Sequence, residues 1–211
     1  MKTLFDRELT LEEAEAIIKN GDDVNQRNHI GRTPLFYVQN VEVAKLFIKL
    51  GANVNEKDRN GCSPLFYITD VNIVQLLINN KADVNHRNNY NTTPIFNYKD
   101  SNIFLLLINS GADLNARSSI DGGITLIDSV VSGYREYYLD HVKLLILRGA
   151  IFGKIDKYQA FSDLFTIEQQ KAFDTFVSIT NNDNDFFRMC LAYQNDQKNH
   201  VKIEIKEMDI L

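Results

Sequence analysis

Hydrophobic positions recur along the first half of the chain with a constant step of 30 residues. Three apolar runs occupy 43–48, 73–78 and 103–108, and their apolar side chains fall at helical spacing. A helix-capping side chain precedes each run, and a residue at the usual place for a left-handed backbone follows it. The cap positions are Asn40, Asp70 and Asp100, and the following positions are Gly51, Lys81 and Gly111. The pattern therefore predicts three equivalent amphipathic helices.

The three prolines of the chain share one phase of this period, at Pro34, Pro64 and Pro94. Thr33 and Ser63 before proline predict N-caps, and proline at the first helical position predicts a short helix. We expect an extended backbone at the Val54-Asn55 segment and a tight turn at Asn60-Gly61. Each unit is then helix, turn, helix and protruding loop. No unit can bury its apolar face alone, so the units must stack as a solenoid.

The pattern changes at both edges of the stack. Residues 10–20 match the second helix of a unit with no first helix before it, and Thr10 to Glu13 forms a capping-box sequence. A fourth, degenerate unit follows the third, without its proline and with six extra residues in 132–139. Residues 142–148 predict its second helix.

Beyond residue 150 the repeat stops. Residues 166–177 and 183–194 predict helices, and the alternation at 201–205 predicts a short strand. A lone strand is unstable in water, so we expect this one to pair or dock.

Two phrases recur in register through the units. Thr33-Pro34-Leu35 opens a unit, and Gly51-Ala52-Asn53-Val54-Asn55 closes it. This combination resembles the ankyrin repeat, whose period is about 33 residues. The match places the shortening in the turn between the two helices. Aromatic side chains replace the histidine of the family opening, at Phe36, Phe66 and Phe96.

The resemblance implies an all-α fold, an ankyrin solenoid of helix-turn-helix units with protruding loops, extended by helices and a short β-strand. We expect the array to cover 1–150 and a capping extension to cover 151–211. Within the array we expect an N-terminal cap at 1–25, repeats at 26–55, 56–85 and 86–115, and the degenerate repeat at 116–150.

The composition excludes several functional classes. The formal charge is −5, from 23 basic and 28 acidic residues, which disfavours nucleic-acid binding. No apolar run is long enough to span a membrane, and no signal peptide is evident at the N-terminus. Two cysteines do not make a disulfide framework, so we expect a cytoplasmic protein. We expect Cys190 in the core and Cys62 in an exposed turn.

No catalytic motif stands out. The four histidines and two cysteines lack metal-ligand spacing, and neither a phosphate-binding loop nor a nucleophile elbow occurs. We therefore expect no enzyme activity, no metal and no cofactor.

One phase of the protruding loops carries four basic residues, which we call the basic ladder. They are Arg27, Lys57, Arg87 and Arg117. An electropositive stripe of this kind suits an acidic partner, although exposed charges are often only a solvated face.

Aromatic and loop-tip positions are the other candidate partner-binding residues. Tyr37 and Tyr67 either line the groove as contact residues or pack between units beside Phe36 and Phe66. The loop tips differ from unit to unit and present His29, Ile30, Arg59 and Tyr90.

These features favour a non-enzymatic module, monomeric by default, that binds a protein partner through its concave groove and loop tips. Resemblance to small free-standing bacterial ankyrin proteins suggests that the partner is a toxin or enzyme held inactive, as by an immunity protein. The alternatives are a host-directed effector or regulatory subunit, and a structural protein that self-assembles through the strand at 201–205.

Overall fold

The computed structural model describes residues 2–119 and 123–132, together with the five positions His141, Leu144, Leu145, Arg148 and Ala150. The chain divides into two compact units, Met1–Leu126 and Ile127–Leu211. The α-helices of the described part are α1 (Leu11–Lys19), α2 (Val41–Lys49), α3 (Val71–Asn79), α4 (Ser101–Asn109) and α5 (Leu126–Ser132). None of the helices in these ranges has the length and apolar character to cross a bilayer.

Helices α2, α3 and α4 begin as the sequence predicts. The side chains of Asn40, Asp70 and Asp100 each accept hydrogen bonds from the second and third backbone N–H groups of their helix. Helix α1 starts with the predicted capping box, in which Thr10 accepts from the Glu13 N–H at 3.2 Å and Glu13 accepts from the Thr10 N–H at 3.0 Å. Local chemistry thus fixes where all four helices start.

The helix ends also follow the prediction. Gly51, Lys81 and Gly111 lie one position past the C-caps of α2, α3 and α4, with φ angles of 89°, 68° and 87°. A left-handed backbone at this point redirects the chain out of the helix. Lys81 adopts it with a Cβ that the two glycines do not have.

The first helix of each unit is shorter than expected. It is a single 3₁₀ turn, at Pro34–Phe36, Pro64–Phe66 and Pro94–Asn97. The predicted side-chain caps at Thr33 and Ser63 are not formed. Because the turn is 3₁₀, the Thr33 carbonyl already accepts the Phe36 N–H at 3.1 Å, and proline has no N–H to offer.

The core is a column of apolar side chains from successive units. Leu35, Leu65 and Ile95 of the 3₁₀ turns are at most 1% exposed, as are Phe47 of α2 and Leu77 of α3. Burying each such side chain contributes about 1.5–3 kcal/mol. Helices α1 to α4 pack in sequence, each against its neighbour. Stacking therefore supplies the burial that one unit lacks.

The N-terminal segment contains an element that the sequence analysis did not predict. The Asp6 N–H donates to the Thr3 carbonyl at 3.1 Å, much as the Tyr37 N–H donates to the Pro34 carbonyl at 3.0 Å. Leu4 is 1% exposed, like Leu35 at 0%. The unit that contains α1 is therefore preceded by a turn that takes the place of its first helix.

Asparagine side chains join neighbouring units with the same geometry at each step of the repeat. Asn25 donates from Nδ2 to the Gly51 carbonyl at 3.0 Å and accepts from the Asn53 N–H at 3.1 Å. Asn55 makes the same two bonds to Lys81 and Asp83, and Asn85 makes them to Gly111 and Asp113. We call these six hydrogen bonds the asparagine ladder. Each asparagine spans two units with one planar amide.

The expectation of an extended Val54-Asn55 segment is wrong. Both residues lie in a turn in which the Glu56 N–H donates to the Asn53 carbonyl at 3.2 Å. The Asn53 side chain stabilises the turn because its Oδ1 accepts from the Asn55 N–H at 3.0 Å. This turn aims the Asn55 side chain at the next unit.

Several predictions fall on residues outside the described part. They concern the 133–139 portion of the insertion in the fourth unit, most of the helix predicted at 142–148, the helices and strand of 151–211, and Cys190. In the described ranges, α5 begins at Leu126 and runs for seven residues. It is thus longer than the 3₁₀ turns of the earlier units.

Candidate protein-binding surface

Each protruding loop ends in a tight hairpin organised by one side chain. Asn28 accepts hydrogen bonds at its Oδ1 from the N–H groups of Ile30 at 3.1 Å and Arg32 at 3.0 Å. Asp58 and Asn88 do the same one and two units later. The predicted tight turn at Asn60-Gly61 is present, closed by the Gly61 N–H on the Asp58 carbonyl at 2.9 Å.

Backbone hydrogen bonds connect successive tips. The Arg59 N–H donates to the Ile30 carbonyl at 3.0 Å, the Asn89 N–H to the Asn60 carbonyl at 3.0 Å, and the Ser119 N–H to the Tyr90 carbonyl at 2.8 Å. We call the set His29, Ile30, Arg59, Asn60, Asn89 and Tyr90 the tip row. Its backbone is a continuous hydrogen-bonded edge, so its side chains are presented by a fixed scaffold.

Glycine at the tip allows this close approach. A Cβ added to Gly61 would lie 2.5 Å from the Asn89 Oδ1 and 3.1 Å from the Asn89 backbone nitrogen. Gly61 also has a φ of 74°, which favours glycine. A side chain at position 61 would therefore collide with the third tip in its present position.

The side chains of the tip row face solvent. Tyr90 is 48% exposed, His29 and Arg59 are also exposed, and Ile30 is half-buried. Within the ranges that the structure describes, the side chains of His29, Arg59 and Tyr90 form no hydrogen bond or ion pair. The backbone of Arg59 and Tyr90 thus connects the tips, whereas the polar groups of these three side chains do not.

The basic ladder is exposed, but two of its members are paired within the protein. Arg27 Nη2 lies 2.9 Å from Glu56 Oε1, and the same nitrogen donates to the Lys57 carbonyl. Arg87 Nη2 lies 3.3 Å from Asp113 Oδ2. Glu56 belongs to the following unit, whereas Asp113 belongs to the same unit as Arg87. Arg27 therefore connects two units, and both arginines have a carboxylate partner within the protein.

The other two members differ. Arg117 donates from Nη1 to the Gly123 carbonyl at 3.4 Å. Lys57 has no ion-pair partner among the described side chains. The four positions are therefore equivalent in the sequence but not in their electrostatic surroundings.

Tyr67 belongs to a polar cluster that spans the first two repeats after the cap. Its hydroxyl donates to Asp58 Oδ2 at 3.0 Å, and the same oxygen accepts from Arg32 Nε at 3.0 Å. The Arg32 guanidinium carbon lies 3.8 Å from the centre of the Tyr67 ring, a cation–π geometry. Tyr67 also packs near Phe36, with ring centres 6.0 Å apart.

This environment changes the ionisation of the cluster. Burial raises the pKa of the Tyr67 phenol, and its contacts with Cys62 and Asp58 raise it further. Burial alone lowers the pKa of the Arg32 guanidinium, but the hydrogen bond to Asp58 and nearby tyrosines give a net increase. The cluster thus holds a cation against a carboxylate and a neutral phenol at neutral pH.

Tyr37 occupies the equivalent position one unit earlier and has different partners. Its hydroxyl accepts from Asn28 Nδ2 at 2.9 Å, and its ring meets Phe5 edge-on at 5.9 Å. Tyr37 and Tyr67 are both half-buried. Each tyrosine contacts residues of its own unit and of the preceding one, and a role of either in partner binding stays a prediction.

The expectation that Cys62 is exposed is wrong, since it is 4% exposed. Its carbonyl accepts the Asp58 N–H at 2.9 Å and its Sγ lies 3.3 Å from Asn88 Nδ2. Position 62 is on the inward side of the hairpin, so the next unit covers it. Among the described residues, no group of three or more metal-ligating side chains forms.

Sequence reasoning missed two residues of this surface, Arg32 and Asp58. Asp58 is 7% exposed and carries the charge that holds Arg32. The sequence contained a signal for this pair. Position 58 is an aspartate, whereas the equivalent positions of the neighbouring units are Asn28 and Asn88, and the aspartate occurs in the unit that follows Arg32. A charged residue at an otherwise asparagine position predicts a charged partner.

Comparison with known proteins agrees with this architecture. A family model described as ankyrin repeats (3 copies) matches residues 8–88 and again residues 38–118. Together these cover 8–118, which is 111 of the 211 residues. A search of the curated proteins gave no match. Ankyrin repeats are typically non-catalytic scaffolds that bind proteins. With its helices stacked in register at the matched positions, the chain belongs to the ankyrin repeat family.

Proposed function

We propose that this protein is a non-enzymatic interaction module that binds a protein partner through the tip row. The observation that carries the proposal is the separation of two kinds of exposed residue. Arg27 and Arg87 are engaged in ion pairs within the array, whereas the side chains of His29, Arg59 and Tyr90 project from a hydrogen-bonded edge. Rigid presentation of exposed side chains lowers the entropy cost of binding.

Tyr90 is the expected anchor of the contact. Tyrosine is enriched among residues that dominate interface energies, and a 48% exposed ring at a loop tip offers apolar area and a hydroxyl. Ile30 adds apolar surface in the same row. Arg59, at the tip between them, adds a side chain suited to carboxylate recognition.

The test is quantitative capture of partners with the full chain and matched variants. Tyr90→Ala should weaken capture by about 30-fold, the equivalent of about 2 kcal/mol for an anchor residue. Leu105→Ala is the control, because Leu105 is also exposed, at 39%, but lies on α4. Both variants should melt at the wild-type temperature. Equal capture by the two variants would contradict the proposal.

A finer proposal concerns the consequence of binding. We propose that the partner is an enzyme or toxin of the same cytoplasm, held inactive while bound, as in an immunity pair. The support is resemblance to small free-standing bacterial ankyrin proteins. The activity of the captured protein should fall when the wild-type module is added and stay unchanged with Tyr90→Ala. Full activity in a saturated complex would reject inhibition and leave binding intact.

A further inference from the structure

We infer that the partner contacts the tip row and the neighbouring Lys57 of the basic ladder through an acidic segment of its chain, whose carboxylates meet Lys57 and Arg59. The inference rests on the proposed function, because it names the chemistry of the segment bound at the same surface. It goes beyond a general basic stripe because it assigns the contact to one loop. The cations of this surface differ in whether a carboxylate of the protein already pairs with them.

The carboxylate between the two cations is already engaged. Asp58 stands between Lys57 and Arg59 in the sequence, yet it is only 7% exposed. Its Oδ2 accepts from Arg32 Nε and from the Tyr67 hydroxyl, each at 3.0 Å. Its Oδ1 accepts from the N–H groups of Asn60 and Cys62, at 2.9 and 3.0 Å. Asp58 therefore faces inward and does not compensate either exposed neighbour.

The other candidate carboxylates are engaged elsewhere. Glu56 pairs with Arg27 at 2.9 Å and also accepts the Lys57 backbone N–H at 3.2 Å. Asp113 pairs with Arg87 at 3.3 Å. In the described part of the chain, Lys57 and Arg59 have no carboxylate within ion-pair distance.

The base of the Arg59 side chain is held in position by the preceding tip. A Cβ built on Gly31 would lie 3.5 Å from the Arg59 Cγ, so the base of the arginine packs over the glycine of the preceding tip. Its backbone N–H is fixed on the Ile30 carbonyl at 3.0 Å. The guanidinium therefore projects from a fixed base, which favours forked recognition of a carboxylate.

Charge complementarity selects the occupant. Lys57 and Arg59 are two exposed cations of one loop without a carboxylate partner among the described residues, so they attract an anion. The apolar neighbours Ile30 and Tyr90 favour a peptide that also carries a hydrophobic side chain. A nucleic acid would need a longer run of cations, and Arg27 and Arg87 are already paired. An acidic peptide with one apolar side chain is the better fit.

A random peptide library displayed on phage tests this with three forms of the full chain. They are the wild type, Lys57→Glu with Arg59→Glu, and the control Lys19→Glu with Lys49→Glu, which reverses two exposed lysines at equivalent ends of α1 and α2. Wild type and control should both select peptides rich in Asp and Glu. The tip variant should select Lys and Arg instead. A selected acidic peptide should bind the tip variant at least about tenfold more weakly, and salt should weaken its binding to the wild type.

Selection of peptides without acidic residues, or no selection at all, would overturn the inference. Binding of a random single-stranded oligonucleotide pool to the wild type but not to the tip variant would also overturn it, if the phage selection yields no acidic peptides. Tyr90→Ala distinguishes failure of the proposed function from failure of the acidic-segment inference. Peptides lost with Tyr90→Ala but retained by the tip variant would leave the proposed function standing, whereas peptides retained by both would count against both.

Discussion

Arg32 Nε lies 3.0 Å from Asp58 Oδ2, so that the guanidinium of one repeat is held by a carboxylate buried in the next. The Asp58 side chain is 2% exposed and the Arg32 side chain 18%. The same carboxylate also shapes the hairpin of its own loop. Asp58 therefore stabilises both the hairpin of its own loop and the contact between the two repeats.

We expect Arg32→Met to destabilise the protein by about 3 kcal/mol, because a buried carboxylate would lose its counterion. Adding Asp58→Asn should recover about half of this loss. Asn28 shows that asparagine at this position can accept the same two N–H groups and donate to a tyrosine hydroxyl. Urea unfolding followed by circular dichroism measures both effects. A double variant no more stable than Arg32→Met would show that the uncompensated charge is not the cause.

Lys81→Gly should stabilise the protein by about 1 kcal/mol, because Lys81 has a φ of 68° that penalises any Cβ. Gly51 and Gly111 already occupy the equivalent positions. The control is Lys49→Gly in the last turn of α2, which should destabilise by about 1 kcal/mol. Thermal melts of the two variants should shift in opposite directions. A shift of the same sign would contradict the backbone argument.

Asn55→Ala should cost about 2 kcal/mol, because its amide makes two hydrogen bonds of the asparagine ladder, at 2.9 and 2.8 Å. Asn72→Ala, an exposed asparagine at the start of α3, should change stability by less than about 0.5 kcal/mol. Denaturant unfolding compares the two. Equal losses would show that the bonds between units contribute no more than a surface amide.

Stability should decline at alkaline pH through Tyr98. Burial raises the pKa of its phenol, whose single O–H proton is shared between the carbonyls of Leu65 at 2.5 Å and Ile68 at 2.8 Å. The native state thus holds the proton more tightly than the unfolded state. The stabilisation is fully present below the ordinary pKa of 10 and is lost as the pH rises through the native pKa. Tyr67, with a pKa raised in the same direction, adds to this decline.

Tyr98→Phe checks this assignment. The variant should be about 1 kcal/mol less stable at neutral pH, because two carbonyls lose their donor, and should decline less steeply above about pH 10. Tyr90→Phe changes an exposed phenol and should keep the wild-type profile. Unfolding free energies measured across this range decide the point. A Tyr98→Phe profile parallel to the wild type would assign the decline to other groups.

Much of the fold could be predicted because its signals are local. The caps at Asn40 and Asp70, the left-handed positions at Gly51 and Lys81, and the tight turn at Asn60-Gly61 each depend on residues close in sequence. The 3₁₀ form of the first helices was missed because it depends on competition between hydrogen bonds. A side-chain cap and a backbone carbonyl compete for the same N–H, and the sequence does not say which one binds it.

The candidate surface could be predicted only in outline. Alignment of the units identified the basic ladder but treated its members as equivalent. Their difference arises from residues about 26 to 29 positions away, such as Glu56 for Arg27 and Asp113 for Arg87. These pairings depend on the register between neighbouring loops. The burial of Cys62 has a similar origin, because the following unit covers it.

The most direct test compares Arg27→Gln with Arg59→Gln, measuring both unfolding free energy and affinity for the captured partner by calorimetry. Arg27 pairs with Glu56 across units, whereas Arg59 projects from the tip row. We expect Arg27→Gln to lower the free energy of unfolding by up to about 1 kcal/mol and to leave affinity unchanged. We expect Arg59→Gln to leave the free energy of unfolding unchanged and to weaken binding about tenfold. The opposite pattern, with affinity lost at Arg27 and retained at Arg59, would contradict the assignment of the tip row as the binding surface.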